Sequence, residues 1–115
     1  MKTQQISNQN FNGRLIFVRN AKNSYKYTDR IEQFFPKDAK PVLDEANKKL
    51  EKEPFDIFIS KNKQKQDFYE LYADKSHANI VNGKGAKPTL IHKSVVIGLF
   101  DSAVENAIDN FKKIF

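Results

Sequence analysis

Residues 55–73 read Phe-Asp-Ile-Phe-Ile-Ser-Lys-Asn-Lys-Gln-Lys-Gln-Asp-Phe-Tyr-Glu-Leu-Tyr-Ala, and this stretch decides the fold. Two runs rich in β-branched and aromatic residues flank a polar connection studded with lysines, which is the pattern of an antiparallel hairpin. Side chains on a strand alternate between faces. Phe55, Ile57 and Ile59 therefore share one face of the first strand, with Asp56, Phe58 and Ser60 on the other. On the second strand Tyr69, Leu71 and Ala73 oppose Phe68, Glu70 and Tyr72. One face is apolar throughout. The other is mixed but keeps Phe58, Phe68 and Tyr72, so it is either part of the core, the ordinary meaning of apolar patterning, or an aromatic surface held open for a partner.

Upstream, Leu15-Ile16-Phe17-Val18 forms a continuous apolar run inside a predicted strand over 14–19, which suggests a central position buried on both faces. Asn20 to Ser24 is turn chemistry. Tyr25, Tyr27 and Thr28 favour a short strand or extended piece. Ile31, Phe34 and Phe35 then have the i, i+3, i+4 spacing of a helical turn or two. Pro41, suited to a first turn, opens a stripe of Val42, Leu43, Ala46 and Leu50. With acids early and lysines late, as the helix dipole prefers, this predicts a helix over about 39–52 that Pro54 closes.

Downstream of the hairpin, Asn79-Ile80-Val81 reads as extended chain or a short strand. Asn82 to Pro88 reads as a glycine-containing loop, and a strand spans 89–93. Val96, Leu99, Phe100, Ala103, Ala107, Phe111 and Ile114 predict an amphipathic C-terminal helix, firm over 100–114. It begins near Ser94 or near Asp101, where Asp101 or Ser102 could cap it; Gly98 lies between. The whole is an α+β domain: a small, mainly antiparallel sheet with a central hairpin, packed against two main helices. Both helices are expected on one face, since no crossover helix separates the hairpin from the strand near 89; the alternative puts one on each face. Residues 1–12, polar and rich in Asn and Gln, read as a flexible arm ahead of a domain over 13–115.

A chain of 115 residues with 39% apolar content and ten Phe can fill one modest core. It has no Cys, hence no disulfide or thiolate chemistry, which suits a cytoplasmic protein. No early apolar run is long enough for a signal peptide or a membrane span, so no membrane association is expected. The net charge of +6 favours anionic partners. That charge is diffuse: residues 1–57 hold 11 basic and 8 acidic side chains and residues 58–115 hold 9 and 6. Only three of the 20 basic residues are Arg, the residue that phosphate and guanine contacts favour.

Three constellations bear on function. Gly83 and Gly85 around Lys84, with Lys87 near, could present N–H groups and ammonium charge to an anion. The phosphate-loop pattern, however, needs Gly-Lys-Ser/Thr heading a helix, and this loop leads to a strand. His77 and His92 are the only histidines, without metal-ligand spacing, so neither a metal nor a cofactor is expected. His92 would need Asp101 or Ser102 beside it to form an acid–base site. The aromatics Phe58, Phe68, Tyr69 and Tyr72 invite comparison with base-stacking sheets, but Asp56, Asp67 and Glu70 alternate with them and would repel phosphates. The sequence thus favours a small non-catalytic binding protein acting through a protein interface or self-association, with Phe58, Phe68 and Tyr72 as its surface. A rival is a nucleic-acid module using Lys61, Lys63, Lys65, Lys84 and Lys87, provided the hairpin connection and the glycine loop lie at the same end of the sheet. A second rival is a small enzyme with its site near His92.

Overall fold

The computed structural model describes residues 12–114. The expected arm over 1–12 lies, but for Asn12, outside the described residues. Five strands form one sheet: β1 (Leu15–Ala21), β2 (Ser24–Thr28), β3 (Asp56–Lys61), β4 (Phe68–Asp74) and β5 (Thr89–His92). They lie in the order β2-β1-β3-β4-β5. All neighbours are antiparallel except β1 and β3, which run parallel over Leu15↔Ile57, Ile16↔Phe58 and Phe17↔Ile59. The crossover between them carries the helix α1 (Lys40–Leu50), preceded by 3-10 turns at Ile31–Phe34 and Lys37–Ala39. A short helix α2 (His77–Val81) follows β4, and a long helix α3 (Val96–Lys112) ends the described chain. Among the described residues no helix is long and apolar enough to cross a membrane.

The expected central hairpin forms, with Ile57 opposite Ala73, Phe58 opposite Tyr72 and Ile59 opposite Leu71. Ile57, Ile59 and Leu71 are fully buried, and α1 and α3 pack on that same face through Leu43, Ala46, Leu50, Phe100, Val104 and Ala107. The two long helices are side by side. Lys49 of α1 reaches both Asp101 and Glu105 of α3. β1 is buried on both faces, as its apolar run requires, yet it is the second strand from an edge; the central position belongs to β3.

Two local expectations are corrected, and the open start of the C-terminal helix is settled. Asn79-Ile80-Val81 is helical, because Ser76 Oγ accepts the N–H of Ala78 as an N-cap, and Asp74 Oδ1 accepts both Ser76 N–H and the Asn79 amide. The C-terminal helix starts at Val96 and runs through Gly98, so Asp101 and Ser102 lie inside it and cap nothing. Burial of Val96 and Phe100 outweighs the roughly 1 kcal/mol that a helical glycine costs. Finally, β1 continues to Ala21 and turns back through Lys22 and Asn23, with Lys22 at a φ of 46° supplying the left-handed residue of a tight hairpin.

Candidate functional site

Among the described residues no long helix covers the second face of the sheet. By register it carries Val18 and Asn20 of β1, Tyr25 and Tyr27 of β2, Phe58 and Ser60 of β3, Phe68, Glu70 and Tyr72 of β4, and Leu90 and His92 of β5. The short helix α2 leans on it, with Asn79 bonded to Asp74 and His77 over the aromatic rings. The His77 ring lies 4.9 Å from Tyr25, 5.3 Å from Tyr27 and 5.4 Å from Phe58, and its Nδ1 is 2.9 Å from the Tyr27 hydroxyl. Burial holds this imidazole below its ordinary pKa, so it stays neutral near pH 7.

Of the three aromatics that the sequence nominated as an open surface, Phe58 is only 6% exposed, roofed by His77. Phe68 and Tyr72 are half-buried, the first with its ring against His92 at 4.9 Å and beneath the ammonium of Lys65. Among the described residues the aromatic rings most open to solvent are Tyr25 and Tyr27, at 38% and 52% exposure, in a segment whose sequence pattern is ambiguous.

One concavity follows from the strand pairings. β1 and β3 part after Phe17↔Ile59, but each continues, β1 paired to β2 and β3 paired to β4. The two hairpins therefore splay, and a cleft of about 840 Å³ opens between them. Its lining draws on both sides of the sheet: Phe17, Arg19 and Phe34 from the helix side, Tyr25, Ser60, Tyr72 and His77 from the other. It is a gap in the plane of the sheet and not a dent in one face.

Charge around the cleft is unevenly satisfied. Lys93 pairs with Asp67 at 3.2 Å, and the Asn62 amide donates to Glu70 at 2.7 Å. Arg19 lies 5.9 Å over the Phe34 ring, and Lys61 and Lys63 have no carboxylate partner among the described residues. Burial, and then the negative charge of Glu70, raise the Tyr72 phenol above its usual pKa, so it remains a hydrogen-bond donor.

The five nominated lysines are not brought together. Lys61 and Lys63 line the cleft at the β3–β4 connection, and Lys65 sits over Phe68. Lys84 and Lys87 belong to the loop beyond α2, at the opposite end of β4 beside Asp74. That loop is no anion cradle. Its Gly83 and Lys84 N–H groups close the end of α2 on the carbonyls of Ile80 and Asn79, and Gly85 lies against a carboxylate oxygen of Asp74. His92 is likewise engaged: its Nδ1 accepts the Ser94 N–H at 3.1 Å, capping a 3-10 turn, while Asp101 is bound by Lys49. The geometry therefore joins His92 to neither Asp101 nor the cleft. Among the described residues no group of three or more His, Cys, Asp or Glu side chains is placed to hold a metal ion. No protein-family model matches this chain, and neither a curated protein nor a solved structure gives a match.

Proposed function

We propose that this protein is a small, non-catalytic binding module of the cytoplasm that receives a segment of a protein partner in the cleft between its two hairpins. The observation that carries this reading is the cleft itself, a concavity of about 840 Å³ between the two hairpins lined by aromatic, amide and charged side chains. Clefts with a few convergent polar groups are the ordinary form of a binding site. The histidines that acid–base chemistry would draw on are engaged in packing and capping, His77 on three rings and His92 on Ser94. A nucleic-acid partner is the rival for the same cleft. Against it, Glu70 and Asp67 are part of the lining, where phosphates would meet carboxylates.

The test is selection of a displayed random-peptide library on the full chain, followed by amide-shift mapping. Enriched peptides should perturb Val18–Asn20, Tyr25 and Ser60–Asn62, and should bind Tyr25→Ser at least about tenfold more weakly, as loss of an aromatic anchor does. The reading fails if no sequence is enriched over an unrelated immobilised protein, or if the shifts fall on α1 and α3.

A further inference from the structure

Strand direction fixes which main-chain groups face the cleft. Arg14 C=O accepts the N–H of Ile57, so in β1 the backbone groups of residues 14, 16, 18 and 20 point toward β3, and in β3 those of 57, 59 and 61 point toward β1. The remaining residues face outward to β2 and β4, consistent with Asn62 N–H donating to Phe68 C=O. Beyond the last pair, Phe17↔Ile59, the main-chain groups of Asn20 point toward β3 and those of Lys61 toward β1, and both residues line the cleft. Two facing strand edges are the receptor geometry of β-augmentation, in which an extended chain completes the ladder.

Side chains sort by the same parity. Arg19 and Lys61 share the face of Phe17 and Ile59, and Arg19 lies over Phe34 on that side. Tyr25 and Tyr72 lie on the other side. A strand lodged in the gap would alternate between a cationic wall and an aromatic wall, because successive side chains point to opposite faces.

We infer that the cleft takes its partner as an added strand, an extended acidic segment whose carboxylates alternate with apolar side chains. This rests on the proposed protein-binding role and specifies its ligand. The acidic positions meet Arg19 and Lys61, on the face opposite Glu70, with Lys63 also in the lining. The Glu70 carboxylate accepts from Asn62, while Asp67 is paired with Lys93; the apolar positions meet Tyr25 and Tyr72. A second copy of this chain is a poor occupant, since at +6 each copy repels the other.

The experiment uses two blocked heptapeptides of equal composition, Glu-Val-Glu-Tyr-Glu-Val-Glu and Glu-Glu-Glu-Glu-Val-Tyr-Val, and the oligonucleotide (dT)12. The alternating peptide should bind at least about tenfold more tightly than the segregated one and slow hydrogen exchange at the Asn20 and Lys61 amides. Lys61→Pro removes the cleft-facing N–H without touching the β4 ladder and should weaken binding about tenfold. Lys61→Gln, which keeps the N–H, should cost about threefold. If Lys61→Pro unfolds, Asn20→Pro asks the same question from the facing edge. Equal binding of the two peptides at the cleft overturns strand addition and leaves the protein-binding reading standing. Cleft shifts with (dT)12 and none with any peptide, displayed ones included, overturn both. Concentration-dependent self-association through the same amides overturns the acidic-partner inference in favour of a second copy.

Discussion

Gly13 offers the sharpest test of how this chain is packed. It is buried at the mouth of β1, where its N–H donates to Glu53 C=O at 3.2 Å. A methyl group there would overlap the carbonyl oxygen of Phe55 and lie 2.7 Å from that of Leu50 and 3.1 Å from that of Glu53. The obstacles are three main-chain oxygens of the turn joining α1 to β3, which cannot rotate away as a side chain would. An alanine at this position must therefore push the start of β1 off that turn. The neighbouring anchors resist: Asn47 Oδ1 accepts Leu15 N–H at 2.8 Å, and Arg14 C=O holds Ile57. Overpacking costs about 1–3 kcal/mol, and the strained or broken Gly13–Glu53 bond adds about 1. Gly13→Ala should thus lower the unfolding free energy by about 2–4 kcal/mol in urea titration, with an unchanged m-value. A loss under about 0.5 kcal/mol, typical of a surface site, would refute the packing of β1 against the α1–β3 turn.

Phe111 is 5% exposed with its ring 4.8 Å from Phe55, so Phe111→Ala should cost about 3 kcal/mol or more by the same titration. Phe58→Ser should also cost about 3–5 kcal/mol, because His77 roofs that ring; a change under about 1 would mean the roof is not closed. Burial depresses the folded-state pKa of His77 below 6.5, so the unfolded chain binds its proton more readily. That contribution is intact at higher pH and is lost as pH falls below about 6.5, so wild type should lose more stability than His77→Gln between about pH 7.5 and about pH 5.5. Asp56 acts oppositely and at more acid pH, since burial raises its carboxyl above 3.8 and protonation there favours the folded state.

The hairpin and the two long helices were legible because each carries a complete periodic pattern. Ile57, Ile59 and Leu71 alternate, and Phe100, Val104, Ala107 and Phe111 keep one helical stripe. Local signals were less reliable at two places. Gly98 and the cap-like Asp101 and Ser102 left the helix start open between Ser94 and Asp101, and burial of Val96 decides for the earlier one. Ile80 and Val81 suggested strand, although Ser76 was a readable N-cap. The cleft was not legible at all. It depends on β1 lying beside β3 across a long crossover and on their pairing stopping at Phe17, and neither follows from composition or period. The same topology parts Lys84 and Lys87 from Lys61 and Lys63, a separation that only the course of β4 and α2 reveals.

The short parallel seam also shapes how the molecule opens. Three residue pairs join β1 to β3, against five within the β1–β2 hairpin and six within β3–β4. The β3–β4–β5 meander with α3 is built from contacts close in sequence, whereas docking β1 requires closing the loop that contains α1. The outer hairpin should be the last unit to assemble and the first to detach, with its amides exchanging at lower free energy than those of β3 and β4. His77, bridging Tyr25, Tyr27 and Phe58, is the clasp across that seam on the second face. Whatever occupies the gap between the hairpins would grip both units at once, and its binding would register as slowed opening of the outer hairpin.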